Sequence, residues 1–282
     1  MYQIFPIAIL LVISAVYAAF DVFNKRNVPN LFVYVSVLIG IIVTLAYGAK
    51  TIEYSAIIAA IVAVFGYALY KKGFLGGGDF LEFVAVSLIV PMQPAPLLVS
   101  TFYQQIPFIL SVLFAAGYSV SIYIPLYYLL KRGGGRMHLD RKHMFSAVLL
   151  LCSYALLILA MFLLFYIRLT GIIILGTLGI ASFFIILFEN RIYEGMVSMA
   201  YPSTLEPGDM IATNLMPKAE IRYFNKRSAE FGRLVTKKML HDLGRVRKKL
   251  PVYRNSVPFA LFIFIGIIIS LLLGNLMALI LF

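Results

Sequence analysis

Apolar runs long enough to cross a bilayer fill most of this chain, and they restrict its fold more than any other feature. They lie at about residues 4–20, 31–49, 54–70, 80–98, 105–130, 145–167, 171–188 and 257–281. At about 1.5 Å per helical residue, each can span or nearly span about 30 Å of hydrocarbon. With 62% hydrophobic and 13% charged residues in 282, a soluble domain could not bury the apolar surface, so most of it must face lipid. The expected fold is an all-α polytopic membrane protein of about eight transmembrane helices, within a range of seven to nine. The fourth run is interrupted by Pro91, Pro94 and Pro96, so its outer half is expected to kink or fray. The start, Met1-Tyr-Gln-Ile, lacks the positive region of a secretory signal peptide, and the first run is read as a retained span. Tryptophan is absent, which leaves 18 Tyr and 23 Phe as the interfacial anchors.

Charge sets the orientation. Segments 21–30, 71–78, 131–143 and 189–256 carry 22 of the 24 lysines and arginines, against Lys50 and Arg168 on the other side. By the excess of basic residues in cytoplasmic loops, these four segments face the cytoplasm and both termini face outward. The net charge of +12 therefore sits beside spans, where anionic lipids are the expected partners and nucleic acid is not. A division follows into a transmembrane bundle, 1–188, a basic cytoplasmic domain, 189–256, and a closing helix, 257–282. The middle part is expected to be a small mixed α+β domain. Residues 197–201 and 210–214 read as strands joined by a turn at Pro207-Gly208-Asp209. Phe231, Leu234, Val235, Leu240 and Leu243 repeat at helical spacing within 228–243. At 68 residues this part is too small for a large core and is expected to lean on the bundle.

Only 12 acids occur in the chain, and two stand where membrane chemistry would need them. Asp21 ends the first apolar run. Asp79 follows Gly73-Phe-Leu-Gly76-Gly77-Gly78 at the mouth of the fourth. Taken singly, Asp79 reads as a helix cap and Asp21 as an interfacial acid paired with Lys25 or Arg26. Taken together they are two carboxylates on one side of the membrane, the minimal equipment for hydrolysing a peptide bond. One, ionised, activates water, and the other, protonated, serves the leaving amine. Glu82, one helical turn beyond Asp79, is a candidate substrate contact or a packing residue. Other chemistries lack their residues. No Gly-Lys-Ser/Thr follows the glycines, and neither a Gly-x-Ser-x-Gly nor a His-Glu-x-x-His is present. Cys152 is the single cysteine, and His138, His143 and His241 have no metal-ligand spacing, so neither metal nor cofactor is expected. A transporter or scaffold with structural acids stays open, although transporter acids cluster near the midplane rather than at span ends.

The two motifs resemble those of a known family. Asp21-Val-Phe-Asn-Lys-Arg-Asn-Val-Pro29-Asn30 resembles the aspartate-to-Pro-Asn signature of type IV prepilin peptidases, and Gly76-Gly77-Gly78-Asp79 resembles their Gly-x-Gly-Asp motif two spans later. Leu88-Ile-Val-Pro91, Leu205-Glu-Pro-Gly-Asp209 and the closing Val257-Pro-Phe look like the archaeal branch, the preflagellin and prepilin peptidases. The resemblance implies an aspartic endopeptidase that removes a short basic leader from pilin-like or archaellin-like precursors at the cytoplasmic face. Asp21 and Asp79 are then catalytic, and Pro29, Asn30, Gly76, Gly77 and Gly78 position them. Leu81 stands where many members have lysine. The cysteine-rich insertion of many bacterial members is missing, and with it the linked methyltransferase activity. Presenilin-like proteases share Gly-x-Gly-Asp and are the alternative. Here Asp21 follows Phe20 rather than tyrosine, and Pro94-Ala-Pro96 replaces their Pro-Ala-Leu.

Glycine leaves a turn free to take many conformations. Asp79 is therefore expected on a mobile turn and Asp21 on a fixed one, with the carboxyl groups apart until a precursor closes the site. On that reading, alanines at Gly77 and Gly78 lower turnover.

Overall fold

A computed structural model of the chain describes residues 4–24, 27–98, 106–131, 141–165, 168–228, 230–244, 246–253 and 257–281. Lys25, Arg26, His138 and most of the basic turn after Lys131 lie outside them. Apolar periodicity is answered by helices α1 (Ile4–Phe23), α2 (Asn30–Leu45), α3 (Ala49–Lys71), α4 (Gly77–Ile89), α5 (Phe108–Lys131), α6 (Arg141–Phe165) and α7 (Leu169–Leu187). The short helix α8 (Glu189–Met196) leads into a mixed segment with α9 (Lys218–Asn225) and α10 (Lys237–Leu243). The chain closes with α11 (Phe259–Leu273) and α12 (Leu276–Leu281), separated at Gly274. This is a mostly helical polytopic membrane fold. Among the described residues, α1, α3, α5, α6 and α7 are each long and apolar enough to cross a bilayer alone.

The fourth apolar run departs from expectation. Its helix stops at Ile89, two residues before Pro91, and the chain continues extended. Thirteen residues reach only about 20 Å, short of a full crossing. Pro91 has no N–H to continue the ladder, and a helix ending inside an apolar bundle leaves carbonyls that need donors. Side chains of α2 and the residues after it supply them. The Thr44 hydroxyl donates to the Leu88 carbonyl at 2.8 Å and the Tyr47 hydroxyl to the Ile89 carbonyl at 3.0 Å. Beyond, Leu97 and Leu98 donate their N–H groups to the carbonyls of Leu271 and Leu272 in α11. The extended stretch is thus fixed by backbone pairing, and the proline run produces a half-helix instead of a kinked span.

α4 lies between α2 and α3 and also meets α1, which in turn packs along α11. The core where these helices meet includes Leu10, Ile13, Tyr17, Val86, Ile89, Ile263 and Ile267. Gly40 and Gly66 allow α4 its close approach, since an added Cβ would lie 3.0 Å from Leu88 Cβ and 2.8 Å from Phe80 Cβ respectively.

The segment after α8 has its own core of Ile211, Phe224, Val235, Met239, Leu243, Leu250 and Val252, among others. Of the two strands expected, the one at 197–201 forms and the one at 210–214 does not. β1 (Ser198–Ala200) pairs antiparallel with β2 (Leu250–Val252) in the register Ser198↔Val252 and Ala200↔Leu250. The 210–214 stretch contributes only single bridges, Met210↔Leu234 and Ile211↔Val252. Helix α10 covers the second half of 228–243. It starts where the Thr236 side chain accepts the Met239 N–H at 3.1 Å, an N-cap that leaves residues 233–235 free to pair with 208–211.

Candidate active site

Asp21 occupies the last turn of α1 and is buried at 7% exposure. A carboxylate there faces the negative end of its own helix, an unfavourable place for negative charge. The compensation comes from another helix. Asp21 Oδ2 accepts the N–H of Ala260, in the first turn of α11, at 2.8 Å. The first N–H groups of a helix have no partner within it, so the start of α11 offers both a free donor and a positive dipole end. Pro258 stands just before that helix, which agrees with proline's preference for helix starts.

Asp79 is held by the same physics within its own helix. Gly76 is the N-cap of α4 and Asp79 its third residue. The Asp79 Oδ2 accepts the Gly76 N–H at 3.2 Å, the return half of a capping box. Gly77 and Gly78 are therefore the first helical turn and not a free loop, contrary to the expectation of a mobile turn. The turn before them is fixed as well. Gly73, at φ +67°, follows the end of α3. The Gly73 N–H donates to the Tyr70 carbonyl and the Phe74 N–H to the Leu69 carbonyl, the paired bonds of a Schellman ending. Only glycine takes that φ without strain.

Asp21, Asp79 and Glu82 lie near one another where α1 meets α4, with the charge of Asp21 bearing on Asp79 and Glu82 and that of Asp79 on Glu82. Asp79 is partly exposed, whereas Glu82 is fully buried. Ser14 of α1 lies alongside Glu82. Among the described residues, neither its hydroxyl nor either Glu82 oxygen has hydrogen-bond geometry with a partner. Pro29 and Asn30 are exposed, at the start of α2. Val28, just before them, is partly buried against the bundle core. A Cβ on Gly78 would touch the Val28 side chain at 3.6 Å. The Asp-to-Pro-Asn stretch thus sets its turn on the first turn of α4. Sequence reasoning missed Ala260, because a backbone donor leaves no side-chain signature. The only hint was a proline opening an apolar run.

Residues 8–124 match the model of the type IV leader peptidase family. No curated protein and no solved structure matches the chain.

Proposed function

We propose that this chain, whose residues 8–124 match the type IV leader peptidase family, is a membrane-embedded aspartic peptidase acting on prepilin-type precursors, with Asp21 and Asp79 as its catalytic pair. The observation that carries this reading is their arrangement. Two carboxylates from different helices approach one another, each held by one backbone N–H at a helix start. In the reaction, one ionised carboxylate takes a proton from water as the water oxygen attacks the scissile carbonyl. The other, protonated, gives its proton to the leaving nitrogen as the C–N bond breaks. Gly76, Pro29 and Asn30 position the pair, and Gly77 and Gly78 form the first turn of the helix that carries Asp79. Glu82 is enclosed in the resting enzyme and supports the pair instead of touching the precursor there.

The substrate in this proposal is a pilin-like or archaellin-like precursor with a short basic leader, cut at the cytoplasmic face. The charge distribution supports that side. Asp21 and Asp79 stand at helix ends that adjoin two of the four segments which together carry 22 of the 24 basic residues. Anionic lipids neutralise this basic surface, so that the carboxylates attract the leader locally. We divide the chain functionally into a catalytic bundle, 1–188, a basic cytoplasmic domain, 189–256, and a closing helix, 257–282. Reporter fusions test the orientation. Fusions after Gly78 and Lys226 give a cytoplasmic signal, and fusions after Lys50 and Thr170 an external one. A cytoplasmic signal after Thr170 would overturn it.

A second expectation tests the grip on Asp21. Ala260→Pro deletes the donor and places the ring carbon against Asp21 Oδ2, at a helix start where proline is tolerated. Loss of one hydrogen bond to a charged group costs about 1.5–3 kcal/mol, so processing falls about 10- to 100-fold. Ala260→Gly keeps the N–H and stays within a few fold of the parent. Processing of a co-expressed precursor, followed by mobility shift at matched membrane levels of enzyme, reads both variants. Equal processing by the two variants would remove the Ala260 N–H from the mechanism.

A further inference from the structure

The turn that delivers Asp79 is touched from outside the membrane bundle. Arg233, on the segment between α9 and α10, lays its side chain along Gly73. A Cβ on that glycine would lie 3.2 Å from Arg233 Cγ and 3.4 Å from Cδ. Its guanidinium stands 4.7 Å from the ring centre of Phe74 and 5.7 Å from that of Tyr253. Gly73 is buried, although its neighbours Lys72 and Phe74 are exposed. Among the described residues Arg233 forms no ion pair, and its buried Nε has no hydrogen-bond partner. Its contacts are those of a cation packed on aromatic faces and a stem packed on a backbone.

We propose that Arg233 is a positioning residue for peptide cleavage, bracing the 73–76 turn from the basic domain so that Asp79 keeps its place. The inference rests on the catalytic role of Asp79 proposed above. Both ends of the brace are stiff. On the domain side, the Arg233 carbonyl accepts the Ile211 N–H at 2.7 Å, and the Val235 N–H donates to the Asp209 carbonyl at 2.9 Å. Tyr253 is fixed by its N–H on the Met210 carbonyl at 2.9 Å and by its hydroxyl on Asn214 at 2.8 Å. On the bundle side, the Schellman bonds fix Gly73 and Phe74, Leu75 packs on the bundle core, and Gly76 donates directly to the Asp79 carboxylate. Only two residues, Phe74 and Leu75, separate the braced glycine from the cap. A shift at Gly73 has no slack in which to dissipate before it reaches Asp79. The bracing residue lies outside residues 8–124, so the domain adds a determinant of activity that the matched segment does not contain.

The test is a double-mutant cycle on the full-length enzyme in membranes, assayed with a purified precursor. Arg233→Ala and Phe74→Ala each lower kcat about fivefold, the scale of a cation–π contact with its packing, with KM within twofold of the parent. The double variant is no slower than either single one, because both remove the same brace. Arg233→Lys, which keeps a cation and a long stem, recovers at least half of the parent kcat. Phe74 is exposed, so its truncation leaves the domain core untouched and guards against a misfolded Arg233→Ala. Losses that multiply in the double variant, or parent-like kcat in both singles, would overturn the brace. Asp79→Asn is run in parallel. If it is inactive while the singles are parent-like, only the brace fails. If Asp79→Asn retains activity, the catalytic assignment fails first.

Discussion

Asp21→Asn and Asp79→Asn each lower precursor processing by about 10³-fold or more while the protein still inserts in the membrane at parental levels. The size follows from what each carboxyl contributes. General acid–base transfer accounts for about 10²- to 10⁴-fold, and groups that act as one unit lose nearly the whole effect when either is removed. Asparagine keeps an oxygen that can accept the Ala260 or Gly76 N–H, so both grips on the site survive in geometry. It cannot take a proton from water or hold one for the leaving nitrogen. The measurement is a single-turnover assay on a precursor with N-terminal sequencing of the product. The double variant should be no worse than either single one. Processing within tenfold of the parent by either variant would remove that residue from the chemistry. Were Glu82 able to stand in for a lost partner, Asp79→Asn would retain activity that Asp79→Asn with Glu82→Gln loses.

The parts of this protein that could be read from sequence are those whose cause is local. Apolar length gives the helices, and Gly76-Gly-Gly-Asp79 gives a helix start with an acid in its first turn, which is how the structure builds it. Asp21 was legible as an acid at a span end. What holds it was not, because the Ala260 N–H comes from a helix 239 positions away and has no side-chain chemistry to detect. The half-helix α4 was legible only in part. Pro91 signals a stop, but the apolar composition of 80–98 is the same whether the stretch after it is helical or extended. Non-local donors on Thr44 and Tyr47, and pairing with Leu271 and Leu272, decide the matter. The second strand expected in 189–256 fails for the same reason. A nearby turn at Gly208 suggests a hairpin with 210–214, yet β1 finds its partner some fifty residues on, where burial of Leu250 and Val252 rewards the pairing.

Gly76→Ala is the variant in which a single methyl group strikes the chemistry, and it separates two explanations of the glycine motif. If the glycines serve flexibility, alanine at Gly77 and Gly78 should be the damaging change, because those residues adjoin Asp79. Both, however, already sit in the first turn of α4, where an added Cβ meets only ordinary contacts, 3.5 Å from the Tyr70 ring and 3.6 Å from Val28. Alanine is also the better helix former. Gly76 is different. Its backbone, at φ −71° and ψ 153°, suits any residue, so no strain arises from conformation. Its absent Cβ is what matters, since that atom would lie 2.9 Å from Asp79 Oδ2, inside van der Waals contact. The carboxylate must then swing away and give up the Gly76 N–H, a charge-assisted bond worth about 1.5–3 kcal/mol. Processing should fall about 10- to 100-fold for Gly76→Ala, with KM little changed, since the precursor-binding surface is untouched. Gly77→Ala and Gly78→Ala should each stay within about threefold, the range of ordinary surface substitutions near ±0.5 kcal/mol. Serine at 76 should behave like alanine, because the obstruction is the Cβ itself. Kinetics on the four single variants, at matched expression, decide the question. A parent-like Gly76→Ala beside a slow Gly77→Ala would return the motif to flexibility and discard the steric account.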